Sequence, residues 1–546
     1  MVRATFAGIT TALSSLQANQ KRLDIVGQNL SNMNTPGYTR QQLDVTSLNH
    51  LHPVSHYANG SEITVGFGVR MDGVSRIRDP YLDVQYRNQI GKSGYNESMQ
   101  TSLDTLAKVL DEHTISGIRQ AFDNVQATLT NMQDPSKVPD AIFDSELRAR
   151  MQALTNALND AARQIEKAEK QEYEVLDGTG TSENGAVQRV QDLLKQIGDL
   201  NVQIKQNQIV GQPSLELMDE RDMLLDELAS YIPIEVTYYK DSARDDWPYD
   251  LKVDMIYSDG QTGASERLTL VQGSEGGRGN NYGNVEIVAG SADDPTKTKL
   301  QFSAAPSATP PGGTAPAPVD IAAVQDDTAT ENRFATGSIQ SSLDMLGKLG
   351  TQKGNDMVRG YQYYMNELNN LAKVFAETIN GINNSAVEFN GAGGDLLSIG
   401  GAGTEAGTIK ISDAWSAGTI KVGTGIIDPS NPNDPVSTND TVLALLQAFE
   451  NSSNKDLDNK SFADYMNHVS TILATDSYTN QLNLKTNVTV LNGIQDSRDS
   501  ISAVSLDEEA SNMMAYLNAY NAASRLMTAL DEALNTLINN TGLVGR

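Results

Sequence analysis

The 546-residue chain has no cysteine, 2 tryptophans, 6% aromatics and only 41 basic residues against 69 acidic ones. Without cysteine there are no disulfides, no thiol catalysis and no cysteine-based zinc site, and the chain suits passage between redox compartments. The formal net charge of −28, with no cluster of Lys and Arg, argues against nucleic acid and against an anionic membrane as partners. It also keeps monomers apart by self-repulsion. No run approaches the roughly 18 apolar residues needed to cross a bilayer. MVRATFAGITTALSS has one Arg but no continuous apolar stretch and no cleavage site, so a cleaved secretory signal is not expected.

What is present is length enough for three or four domains and long helical periodicity. Near the N-terminus Ile9, Leu16, Leu23 and Leu30 lie seven apart, with Phe6, Leu13 and Val26 beside them. That spacing is a seam for a partner helix. Pro36 and Gly37 end it, because the residue before a proline avoids the α region. The C-terminus mirrors this. Leu506, Met513, Tyr520, Met527 and Leu534 are seven apart, broadened by Leu517, Leu530 and Leu537. Ser505 and Glu508 have the spacing of a capping box. The acidic Asp507–Glu509 run suits the positive end of a helix dipole, and Gly542 is a plausible stop. One helix pair buries too little apolar surface to offset the ordering of its backbone. Both ends are therefore expected to be mobile in the monomer and ordered in an assembly.

Residues 96–133, 141–172, 185–231, 338–384 and 461–503 also read as helical, polar with narrow apolar stripes, as in elongated bundles. Residues 232–330 differ. IPIEVTYY, YDLKVDMIY, RLTLVQG, NVEIVAG and KLQF alternate as strands do, and APSATPPGGTAPAP is a flexible loop or linker. Residues 385–440 are rich in Gly, Asn and Asp, with TIKIS and TIKVG as short strands. The organisation is nested. A terminal coiled-coil assembly domain spans 1–45 plus 505–546. An elongated helical domain spans 46–231, 331–384 and 441–504. A β-rich inserted domain covers 232–330, and a small Gly/Asn-rich β insertion covers 385–440. The fold class is mainly α with β insertions.

Catalytic signatures are sparse. His50, His52 and His56 in NHLHPVSHY could present a metal pair on a strand, but a polar loop around Pro53 accounts for them more simply. DGTGTSENG (177–185) lacks the acidic third and fifth positions and the closing Glu of a calcium loop. VGFGV (65–69) lacks the third glycine of a nucleotide loop, and DPSNPNDP (428–435) reads as a loop. There is no GxSxG, HExxH or P-loop. No catalytic residue, cofactor or metal is expected. Tyr38 and Arg40 could form a basic–aromatic contact, too small to specify a ligand.

ALSSLQANQKRLDIVGQNLSNMNTPGYTRQQ (12–42) resembles the N-terminal motif of bacterial flagellar rod, hook and hook-associated proteins, in which an amphipathic helix ends in an Asn-rich segment and a T-P-G-Y turn. VGFGVRMDGVSRIRDPYLDVQYRNQ (65–89), LMDERDMLLDELASYIPIEV (217–236), LNNLAKVFAETINGIN (368–383) and ISAVSLDEEASNMMAYLNAYNAASRLMTALDEALNTLI (501–538) are similar to segments of the hook-associated protein 1 branch of that family. Ala503 departs from the glycine the family often has there, and a short NTGLVGR tail follows the usual end. The β insertions carry no residue-level resemblance.

The resemblance implies an elongated multi-domain axial protein: a structural component joining hook to filament, with terminal coiled-coil helices, a helical bundle domain and β-rich outer domains. Its subunits would form a ring through helices that order on assembly. The implied partners are further copies of itself, the hook protein and a second junction protein. A cytoplasmic chaperone would hold the C-terminal helix, whose exposed apolar stripe needs cover, before export by the flagellar type III apparatus to the extracellular flagellum. Asn29, Asn32, Pro36, Gly37 and Tyr38 would set the turn that redirects the chain outward. Two alternatives stay open: another axial component such as the hook subunit, or a secreted flagellum-associated enzyme or adhesin with its activity in the β insertion.

Overall fold

The computed structural model describes residues 5–48, 68–110, 112–138, 140–178, 185–240, 249–273, 281–308, 314–324, 331–347, 351–353, 356–389, 393–426, 437–451 and 454–540. Helix α1 (Thr5–Asn32) leads to a hairpin, β1 (Gln41–Ser47) with β2 (Val69–Arg76), paired antiparallel with a bulge at Asp44/Val45. Helix α2 (Pro80–Val109) starts where Asp79 accepts from Tyr81 N at 2.9 Å and Pro80 takes a position that needs no N–H. Then follow α3 (Glu112–Asn131), α4 (Ala141–Asp177), α5 (Ala186–Ile209) and α6 (Leu215–Tyr231). Asp140 caps α4 through Ile142 N at 2.9 Å, and Gly178 at φ +83° closes it.

Strands β3 (Ile234–Tyr239), β4 (Asp250–Ser258) and β5 (Ser265–Gln272) form one antiparallel meander, and β6 (Asn284–Ser291), β7 (Asp294–Ser303) and β8 (Val319–Ala322) form another. Helix α7 (Ser338–Leu346), the small hairpin β9 (Thr351–Lys353) and β10 (Asp356–Val358), and α8 (Tyr361–Asn384) follow. A compact run comes next: β11 (Ala386–Phe389), β12 (Leu397–Ser398), α9 (Glu405–Thr408), β13 (Lys410–Ile411), α10 (Asp413–Ser416) and β14 (Gly423–Ile426). The chain ends with α11 (Asp440–Glu450), α12 (Phe462–Ser502) and α13 (Leu506–Asn540).

Two cores hold the described body together. The first joins α3, α4, α8, α11 and the start of α12, with Phe122, Phe375, Phe449 and Phe462 as an aromatic knot whose ring centroids lie 5.3–6.3 Å apart. The second joins the end of α4, α5, α6 and α7 to both sheets through residues such as Leu194, Leu228, Val253, Leu270, Phe302 and Leu343. The sheets therefore share their core with helices rather than enclosing one of their own.

Several sequence expectations need correction. Residues 96–133 and 185–231 are each two helices. The first break falls at Leu110, whose side chain is buried in the first core; the turn at 132–138 then folds α4 back on α3. The second falls at Val210–Ser214, where Gly211 takes φ +83° and Pro213 follows. The stretch 338–384 is interrupted by the β9–β10 hairpin. TIKVG (419–423) is not a strand; the pairing strand is the glycine-rich β14 against β11. The 385–426 run packs into the first core, and Trp415 Nε1 donates to the buried Asp144 Oδ1 at 3.1 Å. No strand is expected from the sequence at the β1–β2 hairpin or at β8: QQLDVTS and VDIA offer few apolar positions, and those of VRMDGVSR fall on both faces.

Candidate functional site: the terminal helix pair and its ionic joint

Helices α1 and α13 run antiparallel. Asn29 meets Glu509, Arg22 lies 5.3 Å over the Tyr516 ring, and Gly8 faces Leu530. The residues buried here are mostly small or polar: Ala12, Ala18, Asn19, Ile25, Val26 and Asn29 on α1, and Glu509 and Ala523 on α13. The heptad lines read from the sequence are only partly covered. Ile9, Leu16, Leu23 and Leu30 are half-buried and Leu13 is 44% exposed. Met513, Tyr520, Met527, Leu530 and Leu534 are half-buried, while Leu506, Leu517 and Leu537 are exposed. A helix in a pair can cover only one side of its partner, and here each keeps apolar surface open.

The turn after α1 is organised around Asn29. Its Nδ2 donates to Gln41 O at 3.0 Å and to Glu509 Oε2 at 3.3 Å; its Oδ1 accepts from Gln41 N at 3.0 Å and Tyr38 Oη at 2.9 Å. One side-chain amide thus stands in for a strand partner at the first residue of β1. Asn32 O accepts from Thr35 N, and Thr35 O from Tyr38 N. Gly37 sits at φ +77°, which favours glycine, and a Cβ there would come within 2.2 Å of Met223 Sδ. Pro36 is exposed. Burial, then Glu216, Asp219 and Glu509, push the Tyr38 phenol up to about 12, so it stays a donor.

Ser505 precedes α13, and its Oγ accepts from Glu508 N at 3.5 Å. The reciprocal half of a capping box is replaced: the Glu508 carboxylate pairs with Arg40. The N-terminal turn therefore grips the first turn of the C-terminal helix twice, at Glu508 and at Glu509.

Behind the turn lies an ionic joint absent from the sequence reading. Asp222, Arg78, Asp83, Arg498, Asp226 and Arg87 form a closed ring of alternating charge, with contacts of 2.6–3.5 Å. Arg76 joins it to Asp219 and Asp222 at 2.6 and 2.9 Å, and Asp219 also accepts from Thr39 N at 3.0 Å. These side chains are 5–14% exposed. Burial opposes ionisation of Asp222, but Arg78, Arg76 and Arg87 outweigh it and hold its pKa below the usual carboxylate range. Equal numbers of cations and anions leave no uncompensated buried charge. The joint ties the β1–β2 hairpin, α2, α6 and the end of α12 at one point, so it fixes the terminal pair to the body. Segments 65–89 and 217–236 carry seven of its eight charges, but nothing in their spacing says that they meet.

His50, His52 and His56 lie outside the described residues, as does DPSNPNDP. Among the described residues no three His, Asp or Glu side chains are placed to hold a metal ion, and no helix is long and apolar enough to cross a membrane.

The terminal helices are paired with each other and anchored on a helical body, and the family models place this arrangement in the flagellar axial class. Residues 9–39 match the family model of flagella basal body rod proteins, and 496–540 that of the FlgEFG basal body rod C-terminal region. Residues 103–397 match the helical domain of the flagellar hook-associated protein FlgK, and the chain belongs to that family, whose members are structural and not enzymes. Flagellar hook-associated protein 1 of Bacillus subtilis (strain 168) is 29% identical over 555 residues, spanning 100% of both chains. That of Salmonella typhimurium is 27% identical over 401 residues, covering 72% of this chain and 59% of its own. The solved structure of the flagellar hook junction protein FlgK from Burkholderia pseudomallei shares 18% identity at a TM-score of 0.38, covering 58% of this chain and 47% of its own.

Proposed function

We propose that this protein forms the junction between hook and filament, as a ring of subunits held through α1 and α13. The observation that carries this is the incomplete cover of the terminal seams. Within one chain Leu13, Leu506, Leu517 and Leu537 stay exposed and Ile9, Leu16, Leu23, Leu30, Met513 and Tyr520 half-covered, which leaves apolar lines for neighbouring subunits. On this reading residues 1–45 and 505–546 are the assembly domain, and the remaining domains project outward from the ionic joint. The hook protein lies on one side and a second junction protein on the other. The chain reaches the extracellular flagellum by type III export, with a cytoplasmic chaperone on the C-terminal helix until then. Family membership supports the axial role, and the open terminal seams support assembly through α1 and α13.

The test is electron microscopy of cells lacking the gene, with a blot of the medium for flagellin. Complete hooks without filaments and flagellin lost as monomer are expected. Absent hooks would move the protein to rod or hook, and intact filaments would overturn the reading. Met513→Asp with Leu517→Asp should block incorporation while leaving the β sheets folded; normal junctions from that variant would remove α13 from the seam.

A further inference from the structure

Helix α12 contains a long stretch that its own chain covers on one side only. Its inner face meets α2: Asn480 Nδ2 donates to Asn96 O at 2.9 Å and Gln89 Nε2 to Asn487 O at 3.0 Å, and Arg498 continues the same face into the ionic joint. These positions follow the alternating three- and four-residue spacing of a two-helix seam. The opposite face is open. Tyr478 is 62% exposed and Leu482 48%, and Val490 on the flank is 46% exposed.

That face is nearly free of charge. Residues 477–495 hold one charged side chain, Lys485, in a chain that is 20% charged with a net charge of −28. It is also less polar than its composition suggests. The hydroxyls of Thr475, Thr479, Thr486 and Thr489 each donate to the carbonyl four residues back at 2.8–2.9 Å, so their methyl groups are left to face outward. Gly493 stands on the same face, inside a 41-residue helix, where glycine is disfavoured relative to alanine. A Cβ there would meet nothing within 4 Å, so no contact within the described chain accounts for the glycine.

We propose that the outer face of α12 between Tyr478 and Gly493 is a contact surface for a second copy of this chain. Electrostatics select this occupant. A basic partner would be met by an acidic surface, which most of this chain supplies. Two copies, each strongly acidic, approach only where charge has been removed. The face is about 24 Å long and offers roughly 250 Å², well under the ~800 Å² per partner of an independent dimer. It therefore works as an extension of the α13 seam, which follows α12 after residues 503–505, and rests on the ring reading above. Dilute protein stays monomeric, and the contact forms only in the assembled ring.

The test is a photo-crosslinking residue, p-benzoylphenylalanine, placed at Leu482 in the full-length chain in flagellated cells, with Val490 as the alternative site and Ile538 on α13 as the reference. The expected result is a product of this chain with itself from both α12 and α13 positions. A self-product from Ile538 but none from Leu482 or Val490 overturns the α12 surface and leaves the ring. No self-product from any position overturns the ring and, with it, this inference. A product of Leu482 with a different flagellar protein overturns the choice of occupant. Leu482→Glu with Thr489→Glu should lower incorporation into isolated flagella about tenfold through like-charge repulsion, with an unchanged thermal melt of the purified chain. Unchanged incorporation would also overturn the proposal.

Discussion

Asp222→Asn is the most direct probe of the ionic joint. Asp222 Oδ2 lies 2.9 Å from one guanidinium nitrogen of Arg76 and 2.9 Å from one of Arg78, and Oδ1 lies 3.5 Å from Arg87. An amide of the same shape keeps one acceptor oxygen and turns an NH₂ toward cations. The joint is left with one excess buried positive charge. Breaking a buried pair in this way costs about 3–5 kcal/mol. The pH dependence separates charge from shape. The folded-state pKa of Asp222 is lowered, from an unfolded value near 4. Its contribution is therefore present above about pH 4 and is lost as pH falls through the lower folded value. Urea unfolding of wild type and variant, followed by far-UV circular dichroism at pH 7, 5 and 3, should give a constant gap at the first two and a smaller one at the third. A gap under about 1 kcal/mol at pH 7 would mean that the ring contributes no net stability. An equal gap at pH 3 would mean that charge is not its basis.

Three further outcomes follow from the turn and from the first core. Asn29→Ala strands both backbone groups of Gln41 and the Tyr38 hydroxyl; a local loss of about 2–4 kcal/mol should show as faster hydrogen exchange at the Gln41 amide. Gly37→Ala meets a φ of +77° and Met223 Sδ at 2.2 Å, costing about 1–2 kcal/mol for the backbone alone. Adding Met223→Ala should relieve the clash but not that part, as a double-mutant cycle in urea would report. Burial, against the opposing hydrogen bond from Gln362, raises Glu169 to about 7. A raised carboxylate stabilises the folded state only while protonated, so wild-type stability should fall as pH rises from about 4.5 to 7. Glu169→Gln should then stabilise by up to about 3 kcal/mol at pH 8 and have little effect at pH 5; thermal melts at the two pH values check this.

Much of the architecture was legible because its signals are local. Heptad spacing at Ile9–Leu30 and Leu506–Leu534 marks two amphipathic helices whatever covers them. Pro36 and Gly37 stop the first by backbone sterics, and alternation in IPIEVTYY and YDLKVDMIY marks strands through side-chain period alone. The resemblance carried by 12–42 and 501–538 gave the family, because a long run of specific residues outweighs composition. Helix breaks were harder to place where the cause was tertiary, as at Leu110, whose side chain is buried in the first core at the end of α2.

The sequence by itself determined which residues can lie on one face of a helix, where helices must stop, and that no cysteine chemistry takes part. Only the tertiary structure decided which charges meet. Asp83, Asp222 and Arg498 belong to segments hundreds of residues apart, and any exposed arginine could have paired elsewhere. It also decided that Asn29 spends its amide on Gln41 and Glu509, and that Glu508 turns from its own cap to Arg40. A heptad line shows that a face is apolar but not how much of it the chain's own helices cover. That fraction depends on the register of α1 against α13, set by contacts 480 residues apart in sequence, and in this register Leu13, Leu506, Leu517 and Leu537 stay exposed.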